Sequence, residues 1–96
     1  DSTMLMTTVP FYLGEDKCLT FQVTARDGRS FSILSASWKL LDRYDKKVLS
    51  GTGEIDDANG TIRVQIKPTQ KGSYVLEVEY LIGLETLIER VKIEVC

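Results

Sequence analysis

Histidine is absent from these 96 residues, and cysteine (2), proline (2) and tryptophan (1) are scarce. Without histidine the chain has no Ser-His or Cys-His nucleophile pair, and it lacks the commonest general base and metal ligand. The two thiols, Cys18 and Cys96, lie far apart in sequence and have no imidazole to activate them. They have no zinc-type spacing, and two cysteines are too few for a disulfide framework. They are read as two unrelated thiols. The alternative is one bridge that ties the C-terminus down, which suits an oxidising compartment; the sequence leaves both open.

Charge of one sign is also lacking. Twelve basic and fourteen acidic residues give a net charge of −2 and are interspersed along the chain. No stretch is a basic run, which argues against a nucleic-acid footprint and against a polybasic membrane anchor. No window approaches the ~18 apolar residues of a membrane span. The first residues, Asp1-Ser2-Thr3-Met4-Leu5-Met6, show no charged region followed by a long apolar run, so no signal peptide is visible. Gly51-Thr52-Gly53 is the nearest approach to a phosphate loop, and it lacks both the rest of such a motif and a following helix. The expectation is therefore a domain without catalytic residues, cofactor or metal, with no small-molecule substrate, nucleic acid or membrane as partner.

What is present is two-residue alternation interrupted by turn signals, with no convincing helical periodicity. Thr61 to Ile66 is the clearest case: Ile62, Val64 and Ile66 on one face, Thr61, Arg63 and Gln65 on the other. It follows Asn59-Gly60, a strong turn signal because both residues tolerate positive φ. Ser73 to Ile82 places Tyr74, Leu76, Val78, Tyr80 and Ile82 inward and Glu77 and Glu79 outward, after a Lys71-Gly72 turn. Leu19, Phe21, Val23 and Ala25 alternate with polar residues before an Asp27-Gly28 turn. Ala36, Trp38 and Leu40 do so before Tyr44-Asp45-Lys46-Lys47. Val48 to Ile55 reads as one weaker strand, and its glycines suggest an edge or a bulge. Met4 to Leu13 is a plausible first strand, placed at a sheet edge by Pro10.

In the last strand Val91, Ile93 and Val95 point inward and Arg90, Lys92 and Glu94 outward, while Leu84 to Glu89 breaks that parity. Leu87 fits the inward set and Glu89 does not, so a β-bulge near Glu89 is expected. A helix over Leu81 to Lys92 is the rival reading, disfavoured by Gly83 inside it. About seven short strands with turn signals every ~8–12 residues point to a single domain, residues 1–96, folded as an immunoglobulin-like antiparallel β-sandwich. Barrels of similar spacing exist.

Four residues carry structural roles in that reading. Trp38, on an alternating strand, is read as core rather than as a ligand platform, with its indole N–H needing a partner when buried. Tyr74, two residues after Gly72, fits a tyrosine corner, its hydroxyl turned back onto the preceding connection. Val23 and Leu76 stand where antibody-type domains carry the inter-sheet cysteines, so aliphatic packing replaces that bridge. Asp56-Asp57, and Asp42 with Asp45, are read as solvated turns, because the spaced ligand pattern of a calcium loop is missing. Tyr12 and Tyr80 are placed nearer the surface. Leu41, Val75, Leu81 and Ile88 fall on outward positions and would form a docking patch if they clustered.

Taken in order, the Leu19–Ala25 strand, Ile33-Leu34-Ser35-Ala36-Ser37-Trp38-Lys39-Leu40-Leu41-Asp42, Ile55-Asp56-Asp57-Ala58-Asn59-Gly60 and Lys71-Gly72-Ser73-Tyr74-Val75-Leu76-Glu77-Val78 are recognisable as a set. The chain resembles, from about Phe11 to Val95, the Ig-like modules of phage and prophage tail or baseplate proteins, including the N-terminal domain of the baseplate upper protein family. The resemblance implies a rigid spacer or docking element whose partners are other protein subunits or domains. It also implies a location in the virion, or in the host-cell cytoplasm during assembly. Because the motifs recur in bacterial surface modules, a cell-surface adhesion or carbohydrate-binding domain is the alternative. Edge features at Pro10 and in Val48–Ile55 lead to the expectation that association uses a sheet face or the termini.

Overall fold

The computed structural model describes residues 7–23 and 31–96. The segment Met4–Met6 of the expected first strand, Ala25, and the Asp27-Gly28 turn lie outside the described residues. Eight strands follow one another: β1 (Thr8–Phe11), β2 (Lys17–Gln22), β3 (Ile33–Leu41), β4 (Lys47–Thr52), β5 (Glu54–Asp56), β6 (Thr61–Ile66), β7 (Gly72–Ile82) and β8 (Glu85–Val95). They form a five-stranded sheet, β1-β8-β7-β3-β4, and a three-stranded sheet, β2-β6-β5. The chain changes sheet after β1, β2, β4 and β6. This is the Greek-key arrangement of an immunoglobulin-type sandwich, with β2-β6-β5 in the place of strands B-E-D and β8-β7-β3-β4 in that of G-F-C-C′. One pairing departs from the antiparallel expectation: β1 runs parallel to β8, from Thr8 opposite Lys92 to Phe11 opposite Val95. Pro10 sits in this short edge strand, where its missing N–H leaves no gap in a central ladder.

The alternation seen in the sequence builds the core. Ile62, Val64 and Ile66 of β6, Leu76 and Val78 of β7 and Ile93 of β8 are fully buried, joined by Phe11, Val23, Ile33, Ala36, Leu40, Tyr80 and Val95. Each fully buried valine, leucine, isoleucine or phenylalanine among them contributes about 1.5–3 kcal/mol by leaving water. Glu79 faces solvent as expected, but Tyr80 does not lie near the surface: it is buried between the sheets, since its parity is that of Leu76 and Val78.

The expected strand Val48–Ile55 is two strands in two sheets. β4 pairs with β3 and β5 with β6, and the chain crosses between sheets at Gly53. Gly53 is required there by space: a Cβ would lie 2.8 Å from Ile62 Cγ2 and 3.0 Å from Ala36 Cβ. Its N–H donates to the Ala36 carbonyl at 2.9 Å, which anchors the crossing.

The expected bulge near Glu89 is also absent. The β7–β8 ladder runs without a register shift from Gly72 opposite Val95 to Ile82 opposite Glu85. Gly83 and Leu84 form a two-residue hairpin in place of the rival helix. Gly83 has φ +58°, whereas Leu84 is not left-handed, which is the pattern of a type II′ turn. Unbroken parity carries Glu89 onto the inner face, opposite Val78.

Candidate functional site

The structural residues read from the sequence take these places. Tyr74 opens β7, and its hydroxyl donates to the Gln70 carbonyl at 2.8 Å, four residues back. Val23 and Leu76, 3 % and 0 % exposed, belong to one apolar cluster that fills the inter-sheet space. Trp38 is half-buried on the core side of β3, packed on that cluster and opposite Gly51. A Cβ at Gly51 would come within 2.7 Å of the indole Nε1, so the glycine makes the berth for the ring. Cys18 and Cys96 are both free and exposed, on β2 and after β8 respectively, so no bridge joins them.

The acidic turns are occupied by backbone. Asp42 Oδ1 accepts from the N–H groups of Tyr44 and Lys46, at 2.8 and 3.0 Å, and Asp45 takes the left-handed conformation that closes the turn. Asp57 Oδ1 accepts from Ile33 N at 2.9 Å, tying the β5–β6 connection to the start of β3, and Asp56 holds Asn59. Among the described residues no group of three or more potential ligands converges as a metal site.

The outward apolar residues do not form one patch. Glu77 interrupts them from the middle of the five-stranded face. Strand alternation predicts that it is solvated, yet it is 7 % exposed. Its two oxygens face Lys39 Nζ at 3.3 Å on β3 and Arg90 Nε at 2.8 Å on β8, and the stems of these long side chains cover it. Burial pushes the Glu77 carboxyl up, but hydrogen bonds from Arg90 and Lys39 outweigh that and hold it below the usual carboxylate value. This charged rung separates Leu41 and Val75 at one end of the face from Leu81 and Ile88 at the other.

The feature that offers a binding geometry is a cleft of about 920 Å³ on the flank where β2 and β8 lie across from each other. Leu19 and Phe21 of β2, Val9 of β1 and Val91 of β8 give it an apolar lining, and Glu89 adds a carboxylate. Among the described residues nothing covers it, since β1 (Thr8–Phe11) pairs β8 only from Lys92 onward. Burial pushes the Glu89 carboxyl above its ordinary value, and the buried phenol of Tyr80 is pushed up as well, by its own burial and by the Glu89 charge. The signal for this site was legible as the parity conflict at Glu89, which a bulge would have removed and the structure instead keeps.

No protein-family model matches the chain, and no curated protein matches it in sequence. Solved structures do. CopC from Methylosinus trichosporium OB3b superposes with a TM-score of 0.63 at 16 % identity, over 94 % of this chain and 82 % of CopC. A Bacteroides vulgatus ATCC 8482 protein assigned as a glycoside hydrolase gives 0.56 at 21 % identity, over 91 % of this chain but only 16 % of its own. A chain of the ZIG-8–RIG-5 IG1–IG1 heterodimer gives 0.49 at 9 % identity, over 97 % of this chain and 84 % of that one. The likeness is one of fold. The β-sandwich with immunoglobulin-like strand order is common to many activities, and function has to be argued from the surface of this chain.

Proposed function

We propose that the domain is a non-catalytic structural and interaction module of a larger assembly, of the kind that builds phage or prophage tails and baseplates. Its partners are other protein subunits or domains, met in the virion or in the host-cell cytoplasm during assembly. The observation that carries the interaction part of this reading is the flank between β2 and β8: apolar side chains of both strands line a cleft that no other described residue covers. Contiguous apolar surface left open in a small domain marks a docking region. The tail and baseplate setting is supported by the sequence resemblance set out above. A sequence without histidine, whose acidic turns are engaged by backbone, supports a non-catalytic role.

The test is co-expression of the full-length parent protein with the products of its neighbouring genes, followed by size-exclusion chromatography with light scattering. A stable complex containing the parent is expected. A parent that stays monomeric and partnerless refutes the reading. A cell-surface adhesion or carbohydrate-binding role is favoured by one observation: Tyr12 and Tyr44 are 71 % and 75 % exposed on loops at the same end of the sandwich. Binding of the domain to a glycan array, abolished by Tyr12→Ala or Tyr44→Ala, would establish that role in place of the first.

A further inference from the structure

Two strand edges and one carboxylate frame the cleft. In the three-stranded sheet β2 is an outer strand and, among the described residues, pairs with β6 on one side only. In the facing sheet the stretch from Glu85 to Val91 of β8 pairs with β7 and, among the described residues, has no ladder partner on its other side. Backbone N–H and C=O groups along such edges are a template for an added strand. Between them Glu89 interrupts the inward series Leu87, Val91, Ile93, Val95. An ionised group in half-buried apolar surroundings is costly unless it meets a counter-charge. Arg90, its neighbour in sequence, points to the other face and is held by Glu77 at 2.8 Å. Among the described residues no basic side chain forms an ion pair with Glu89.

Resting on the interaction-module reading, we infer that this flank takes an extended segment of a partner protein as an added strand along β2, with one lysine or arginine directed at Glu89 between apolar side chains two residues to either side. The period of two sets that pattern: residues i−2, i and i+2 of an added strand face the same way, so a cation at i brings its apolar neighbours onto Leu19, Phe21 and Val91. β2 offers six residues of edge, Lys17–Gln22, or roughly 20 Å of ladder. An acidic or phosphorylated segment is disfavoured by the charge of Glu89. The edges managed by Pro10, by Gly51 in β4 and by the three-residue β5 are the other ones, so among the described residues the β2 edge is the one without such a device.

The experiment titrates isotope-labelled domain, followed by amide NMR, with capped hexapeptides Val-Thr-Xaa-Thr-Val-Thr, in which Xaa is lysine, norleucine or glutamate and the two valines share its face. Shifts confined to residues 17–22 and 85–91 are expected with the lysine peptide, with affinity about tenfold above that of the norleucine peptide, as a partly desolvated ion pair provides. The glutamate peptide is expected to bind weakest. In Glu89→Gln the lysine advantage should fall below about threefold. A lysine peptide N-methylated at alternate backbone nitrogens should not bind, because it cannot extend the ladder. Absence of shifts at those strands, equal affinity for the three peptides, or an unchanged lysine preference in Glu89→Gln overturns the inference. So does a dimer or a docked chain terminus that already protects these amides in the free domain. Because the interaction-module reading is tested by assembly of the intact parent, failure of the peptides with a stable assembly removes this site alone. Loss of both removes the module reading.

Discussion

Gly53→Ala is the perturbation whose cost follows most directly from the geometry. The added methyl would meet Ile62 Cγ2 at 2.8 Å and Ala36 Cβ at 3.0 Å, well inside the ordinary 3.5–4.0 Å carbon contact. Neither neighbour is free to give, since Ile62 is fully buried on a central strand and Ala36 is 6 % exposed. The backbone at Gly53 is outside the left-handed region, so the penalty is steric rather than conformational. Overpacking of this kind costs about 1–3 kcal/mol. Stiffening of the unfolded chain by alanine returns about 0.4–1 kcal/mol. The net expectation is a loss of about 1–2 kcal/mol, or a fall in Tm of roughly 5–15 °C for a domain of this size. Thermal unfolding followed by far-ultraviolet circular dichroism measures it. An unchanged or raised Tm would mean that Gly53 does not thread between the sheets, and the two-sheet assignment of β4 and β5 would fail with it.

Tyr74→Phe should cost about 1 kcal/mol in denaturant unfolding, by removing the hydroxyl that bonds the Gln70 carbonyl. Gly51→Ala displaces the indole of the only tryptophan, and the expected result is a red shift of Trp38 emission in the folded protein with a small loss of stability. Glu89→Gln should raise Tm at neutral pH. Burial lifts the Glu89 carboxyl above its usual 4.5 in the folded state, so its ionised form costs stability above the folded value, and the gain from glutamine vanishes as pH falls through that value and below 4.5. Glu77→Gln should behave in the opposite sense. Its carboxyl is held below 4.5 in the fold, so the stability it provides is present above that pH and is lost as pH falls through the lower folded value. Urea midpoints from neutral pH down to the acid limit, measured for both variants, check the two signs together.

The parts of the fold legible in the sequence are those fixed by local alternation. β6 and β7 occupy the stretches their patterns indicate, and the turn before β6 forms at Asn59-Gly60, where Gly60 has φ +65°. What was not legible depends on contacts between residues distant in sequence. The split of Val48–Ile55 is set by Ala36 and Ile62 crowding Gly53, which no window around Gly53 contains. The parallel pairing of β1 joins residues 8–11 to 92–95. Glu77 has the alternation of a solvated residue and is buried because Lys39 and Arg90, on two other strands, close over it. At Glu89 the sequence displayed a conflict, and the bulge was the local way to resolve it. The resolution adopted is a carboxylate on the inner face, where it lines the cleft between β2 and β8.

The most direct test of the account is amide hydrogen exchange of the domain, free and within its assembled parent. Protection gained on assembly in residues 17–22 and 85–91, with the amides at the centres of β6 and β7 already protected in the free domain, is the predicted result. Protection gained only on the far edge, at β4 and β5, or nowhere in the domain, would contradict it.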